Sequence, residues 1–376
     1  MADTTSDDAP SGPLPPLYAR WMGELLPGPL PVERYATCGD CAMCATPEPG
    51  QTAQLAFYNP RTKCCTYLPN VWNFLAGRLL EDDDPAAARG RATVEARIEA
   101  GAGVTPLGLG KTPAYILLYG SIEQAWGKSM SMRCPHYLEA EGGLCGIWKH
   151  RESTCATWFC KHERGAVGRD FWLAIHQLLQ VAERGVALWC VRELDIGVDA
   201  LRALFPHEAE RRTMKMSAAE FDGRADPERY RGVWGRWLGR ERDFYRQTAG
   251  LVAGMRWSDV TRICGPDLDL FSQVARSAWD RLGSDTVPAR LRVGKYEVLD
   301  TGAEHVTVTG YSGLDPLRLP RPLVAVLGYF DGRPTEDALR AIAEREGLEV
   351  DPGLVAKLAD FRILVSVEEG RPALLV

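Results

Sequence analysis

Cys38-Gly39-Asp40-Cys41-Ala42-Met43-Cys44 is the stretch on which the reading of this chain turns. Three thiols at regular intervals lie in a loop of small and polar residues, where they would bury little area on their own account. Cysteines two residues apart can turn inward on one tight loop and meet a single ion. A third at the same interval is the spacing of iron–sulfur loops, whose fourth ligand arrives from elsewhere. Outward from this loop come the adjacent pair Cys64-Cys65, then Cys134, then Cys145, Cys155 and Cys160, so nine of eleven cysteines precede residue 161. Trp148, Trp158 and Phe159 around the last three would keep water from a cluster and tune its potential. Cys145, Cys155 and Cys160, with Cys134, are therefore expected to hold a second centre. Neighbouring side chains of an extended chain diverge, so one of Cys64 and Cys65 is expected to complete the first site and the other to serve elsewhere. Cys190 and Cys264 stand in apolar helical stretches and read as packing. His136, His150 and His162 could ligate, although such histidines more often support a site from outside it.

Composition narrows the class. Of 376 residues, 45% are hydrophobic and 25% charged, the balance of a globular protein. A net charge of −6 gives no general attraction for nucleic acid or anionic membrane. No apolar run reaches the roughly 18 residues of a membrane span. Met1 to Pro16 holds neither a basic nor an apolar segment, which excludes a secretory signal and predicts a cytoplasmic setting. In a reducing compartment such cysteines favour metal or redox chemistry, and an odd number suits a disulfide framework poorly.

The pattern predicts a mainly α (α+β) protein in four parts: a flexible lead-in over 1–30, a loop-rich cysteine domain over 31–165, a helical region over 166–285 and a small winged-helix-like domain over 290–376. Helical periodicity runs over 68–80, 167–191, 198–206, 226–255 and 266–282. The acidic run Glu81-Asp82-Asp83-Asp84 before Pro85 should end the first of these. After Pro288 the residues 291–299 and 306–309 alternate like strands. Helical patterns at 319–327, 335–346 and 352–361 follow, then an apolar stretch over 363–367. Strand, helix, helix, helix, hairpin is a winged-helix order.

The cysteine-bearing segments resemble the YkgJ-type family, described as a zinc- or iron-chelating CxxCxxCC domain, over about residues 35–165. The likeness is carried by Cys38, Cys41 and Cys44. Gly143-Leu144-Cys145-Gly146-Ile147-Trp148, Arg151, Cys155 and Trp158-Phe159-Cys160 resemble its second segment, of form C-x-x-(Y/W)…R-P-x-x-C. Two departures stand out: Ala45 follows Cys44 where the family has a fourth cysteine, and Glu152 replaces the proline after Arg151. The resemblance implies bound iron–sulfur or zinc, in places with a redox or protein-modifying role. At the other end, Asp331-Gly332-Arg333-Pro334-Thr335 resembles the turn of PqqD-like winged-helix domains, with Thr335 capping a helix. That likeness implies a peptide partner adding a strand to the sheet edge.

Two motifs are weighed and set aside. Thr105-Pro106-Leu107-Gly108-Leu109-Gly110-Lys111-Thr112 lacks the first glycine of a phosphate loop and its preceding strand. Six arginines between Arg229 and Arg246 alternate with Tyr230, Trp234, Trp237, Phe244 and Tyr245, but the aromatics share one helical face and read as core rather than base-stacking platforms. The segment from 291 to 376 carries 10 Lys and Arg against 14 Asp and Glu, the wrong sign for DNA. Cys38, Cys41, Cys44, Cys64, Cys65, Cys134, Cys145, Cys155 and Cys160 are the metal-ligand candidates. A third evenly spaced cysteine is redundant for tetrahedral zinc and suits a cubane, so a 4Fe-4S cluster is favoured over zinc. The expected function is an iron–sulfur protein, with one or two sites, in electron transfer or in modification of a protein or peptide. The alternative is a zinc-structured adaptor or regulator with no catalysis.

Overall fold

A computed structural model gives the structure over residues 13–44, 58–121, 125–207 and 217–367. The chain is mainly helical, with small antiparallel sheets. It starts with α1 (Pro16–Leu25), which corrects the expectation of a flexible lead-in. The prolines that suggested a linker are compatible with a helix start, because a proline at the first helical position loses only an N–H that has no partner there anyway. Leu17, Tyr18, Trp21, Met22 and Leu25 recur at helical spacing and are all buried.

Next come β1 (Val71–Trp72) and α2 (Asn73–Glu81), which stops at Asp82 as the acidic run predicts. Asp84 then caps a 3₁₀ turn at Pro85–Ala87 by accepting from the Ala86 N–H. Behind it, α3 (Ala88–Ala100) leads to β2 (Val104–Thr105) and β3 (Gly108–Leu109), with β3 central in a sheet of order β1-β3-β2. Within the expected loop over 101–146, α4 (Pro113–Ser121) is an unforeseen helix. The hairpin of β4 (Tyr137–Leu138) and β5 (Leu144–Cys145) follows, then the short α5 (Ser153–Thr157).

The long α6 (Gly165–Glu193) forms where the 167–191 periodicity placed it. Its buried stripe includes Phe171, Trp172, Ile175, Leu178, Leu179, Val186 and Cys190, a helix face wide enough to organise the main core. Around it stand α7 (Val198–Leu204), α8 (Ala218–Phe221), α9 (Pro227–Trp234), α10 (Glu241–Val252), α11 (Trp257–Cys264) and α12 (Pro266–Leu282). The single helical pattern over 226–255 is broken between α9 and α10, where Gly235 and Gly239 take positive φ. Against α10 lies α2, so close that a Cβ on Gly77 would sit 1.8 Å from the Tyr245 carbonyl oxygen. One core runs from Leu14 to Ala278 and joins the cysteine-bearing stretch to the helices after it.

A second core serves the C-terminal unit. There β6 (Arg290–Val293), β7 (Glu297–Thr301), β8 (His305–Thr309) and β9 (Leu317–Pro320) precede α13 (Arg321–Val326). Then β10 (Asp331–Pro334), α14 (Thr335–Glu346), α15 (Pro352–Asp360) and β11 (Leu364–Ser366) complete two sheets, ordered β10-β6-β11 and β7-β8-β9. The helical reading of 319–327 is corrected at its start: residues to Pro320 pair with β8, and the helix begins only after them. The expected strand over 291–299 divides into β6 and β7, and β8 forms where 306–309 alternates; β9 and β10 are additions to the expected winged-helix order, and whatever follows Val367 lies outside the described residues. Thr335 does not cap α14. Its hydroxyl donates instead to the Pro288 carbonyl at 2.8 Å, because Pro334 occupies the capping position.

Candidate metal centre

The cysteine loop is fixed at both ends by buried polar side chains. Glu33 accepts from the Trp172 indole at 2.7 Å and from the Glu163 N–H at 2.6 Å, tying the approach to Cys38 to α6 and to the segment after Cys160. Lys63 donates to the carbonyls of Cys38 (2.6 Å) and Gly142 (3.0 Å), which joins the loop to the β4–β5 hairpin. Cys44 closes a 3₁₀ turn with its N–H on the Cys41 carbonyl at 2.9 Å. Lys63 itself has φ +50°, so Cys64 and Cys65 lie in a tight turn and not in extended chain. The divergence expected of the pair is therefore corrected: both face one cavity, and their thiols are hydrogen-bonded to each other.

That cavity, of about 450 Å³, is lined by Cys38, Cys64, Cys65, Cys134, Cys145 and Cys155. Five separate segments deliver these thiols. Cys134 is placed by its N–H on the Cys65 carbonyl (2.8 Å), Cys145 by the hairpin, and Cys155 by α5, whose N-terminus Glu152 caps through the Thr154 and Cys155 N–H groups at 2.8 and 3.0 Å. A close approach of α3 supports the hairpin from behind. A Cβ on Gly90 would fall 1.6 Å from the Gly146 carbonyl oxygen, so only glycine fits. Tyr67, Trp126, Trp158 and Phe159 form apolar walls, and Leu314 of the C-terminal unit reaches the rim.

Cys41, Cys44 and Cys160 adjoin the same thiols. Cys44 is hydrogen-bonded to Cys41 and lies within electrostatic reach of Cys64, while Cys160 neighbours Cys41 and Cys64. Cys155 instead neighbours Cys145 and Cys134. Cys145 also lies within electrostatic reach of Cys38 and Cys64, and Cys134 of Cys64, so the thiols form one continuous neighbourhood. Folding brings the chain back after α5, a return that residue spacing could not reveal.

Burial, reinforced by neighbouring thiols, pushes Cys38 and Cys145 up to about 11, and Cys44, Cys134 and Cys160 up to about 12. Cys155 is raised well above the ordinary value by burial and by Glu152, and Cys64 by its bond to Cys65 and then by burial. Packed thiols on this scale stay neutral at pH 7. A bound cation reverses the preference, since the charge that repels its like is then compensated. Several features suit thiolates. The Sγ atoms of Cys134 and Cys145 accept from the N–H groups of His136 and Ile147, and half-buried Arg97 and buried Arg151 lie beside Cys134 and beside Cys145 and Cys38 respectively. Arg151 also stacks 3.3 Å from the Trp148 ring centre. All eleven cysteines are free thiols. Among the described residues no three Cys, His, Asp or Glu side chains gather closely enough to hold one ion.

The other candidates have other uses. Cys190 is buried in the α6 stripe, and Cys264 packs on Gly185. His150 is bonded to Asp82 at 3.0 Å and His162 to Tyr311 at 3.2 Å. His136 lines the cavity, and burial lowers its pKa to about 3, so the ring is neutral. Trp234, Trp237, Phe244 and Tyr245 are core residues, closed to stacking bases. Lys111 lies 4.4 Å over the Tyr67 ring, and the Gly110 N–H is committed to the Gly103 carbonyl, so no phosphate cradle forms. The sequence reading missed Arg97, Lys63 and Glu33, because charged residues beside or apart from a cysteine motif read as solvated surface. It missed Glu183 too. This carboxyl, buried in α6, accepts from the Ser153 N–H (2.7 Å), the Ser153 hydroxyl (2.6 Å) and the Tyr18 hydroxyl, and burial raises its pKa to about 8.

Comparison with known proteins finds no matching family model, no matching curated protein and no matching solved structure. The likeness to YkgJ-type domains accordingly rests on the motif residues. No helix among the described residues is long and apolar enough to cross a membrane.

Proposed function

We propose that this chain is a cytoplasmic iron–sulfur protein acting in electron transfer or in modification of a protein or peptide. The observation that supports it is the convergence of six thiols, from segments more than a hundred residues apart, on one cavity. Cys38, Cys41, Cys44, Cys64 and Cys160 would supply the ligands of one centre. Cys134, Cys145 and Cys155 would serve a second, with Cys65 between the two. A four-iron cluster, when bound, supplies one-electron chemistry.

The chain's own residues carry the rest. Trp126, Trp158 and Phe159 keep water away, which makes every charge in the site more strongly felt. Arg97 and Arg151 offset the negative charge of thiolates, and the His136 and Ile147 N–H groups donate to sulfur, both of which favour the reduced, more anionic state. A partner held on the C-terminal unit would stand beside the cavity, because Leu314 lines it and the His162 N–H donates to Asp315 at 3.0 Å. Zinc serving only to tie loops together is the competing use of the same thiols.

Purification without oxygen, followed by iron, sulfide and zinc analysis and a reductive titration, separates the two. The proposal expects a brown protein with at least four iron and four sulfide per chain that bleaches on reduction. A colourless protein holding stoichiometric zinc would replace it with the zinc reading, and a metal-free folded protein would end both.

A further inference from the structure

The second group of thiols is one ligand short of four, and the cavity supplies an unused nitrogen. His136 is fully buried, and its Nε2 has no hydrogen-bond partner among the described residues. Its other nitrogen is engaged: Nδ1 lies 2.7 Å from the Thr93 hydroxyl. That hydroxyl lies 2.6 Å from the Gly90 carbonyl oxygen. A carbonyl can only accept, so the single hydroxyl proton points to Gly90, and the proton between Thr93 and His136 must belong to Nδ1. The ring is thereby held in the tautomer whose Nε2 carries a bare lone pair. A buried acceptor without a donor is costly, and native structures rarely leave one unexplained.

The arrangement has the form of a metal-binding histidine. In such sites the far ring nitrogen donates to a fixed acceptor, which sets tautomer and orientation, while the near nitrogen binds the metal. Here the acceptor is Thr93, held on α3 by the same Gly90 contact that fixes the hairpin. The backbone already ties His136 to the thiols, since its N–H donates to Cys134 Sγ and its carbonyl accepts from Gly146 at 2.8 Å, next to Cys145. We propose that His136, through Nε2, is the fourth ligand of the metal group held by Cys134, Cys145 and Cys155, making that site three thiolates and one imidazole. This rests on the metal reading above. The ligand class is an iron–sulfur centre tolerant of mixed nitrogen and sulfur donors, whose several metal atoms bridge side chains too far apart for a single ion.

The test uses the full chain purified without oxygen, with metal per chain measured for the wild type, His136→Asn, His136→Cys and Cys155→Ser, and the X-ray absorption edge of whichever metal is present. Asn keeps a donor near the Nδ1 position, so it preserves the Thr93 contact while removing Nε2. The expected results are a nitrogen scatterer in the wild type and loss of the same metal fraction in His136→Asn as in Cys155→Ser, with unchanged circular dichroism. In His136→Cys the metal returns with sulfur only and the reduction potential falls. Wild-type metal content and an unchanged edge in His136→Asn overturn the assignment while leaving the metal reading standing. A wild type without metal ends both. Should His136→Asn fail to fold, the nitrogen signal present in the wild type and absent from His136→Cys decides, and its presence in both overturns the assignment.

Discussion

The cysteine-bearing layer and the C-terminal unit are held together by opposite means. The C-terminal core is closed by Leu291, Val308, Phe330, Ala338, Ile342, Val355, Leu358 and Ile363, with little polar material among them. Around the thiols the buried residues instead include Thr62, Lys63, Thr66, His136 and Arg151, and strands are only two residues long. Apolar burial contributes roughly 25 cal/mol per Å², so the first arrangement is stable by itself. The second carries more desolvated polar groups around its cavity, and on the proposed function a bound metal group would offset their cost. On the proposed function, one chain would combine a fold that stands by packing with a layer that stands by ligation.

The largest effect that could break this contrast is removal of the metal. Chelation under reducing conditions should cost the cysteine layer on the order of 10 kcal/mol, judged from structural metal sites. Hydrogen exchange would then speed up at Cys64 to Tyr67 and at the β4–β5 hairpin, while α14 and α15 keep their protection. Equal protection everywhere would erase the distinction. The converse substitution is Phe330→Ala, expected to cost about 3–5 kcal/mol in the C-terminal core with metal content unchanged. Urea unfolding with parallel metal analysis checks it.

Glu183 sharpens the boundary between α6 and the layer. Its folded pKa of about 8 exceeds the unfolded value of about 4.3, so the native state binds the proton more tightly. The resulting stability is present in full below about pH 4 and is lost as pH rises through about 8, a change of a few kcal/mol. Glu183→Gln should remove that slope, so the two proteins differ more in thermal midpoint at pH 9 than at pH 5. A parallel pH dependence would show the carboxyl to be ionised throughout. Smallest is Gly90→Ala. Forcing α3 away from Gly146 should cost about 1–3 kcal/mol and disturb the absorption spectrum of the second centre before that of the first. A variant as stable as the parent, with an unaltered spectrum, would mean that α3 does not position the hairpin.

What was legible in the sequence follows the same contrast. The apolar stripe of α6 is long enough to read directly, and the acidic stop after α2 is a local signal. Cysteine spacing singled out nine thiols, and the fold brings six of them to one cavity, but which thiols would share a centre depends on where the chain returns after α5. Local signals for α1 were masked by prolines that read as linker. On α3 only Val94, Ile98 and Gly90 are buried, and its contribution comes through Thr93 and the absence of a side chain at Gly90, neither of which a hydrophobic pattern registers. Arg151 reads as a surface charge until the fold buries it.

The claim beneath all of this is that an inorganic core occupies the space among Cys38, Cys64, Cys145 and Cys155. Anomalous scattering at the iron edge, from crystals grown without oxygen, tests it directly. The account predicts iron peaks inside the cavity, within bonding distance of those sulfurs. Iron-free density there, with the thiols unliganded or paired as disulfides, would contradict it.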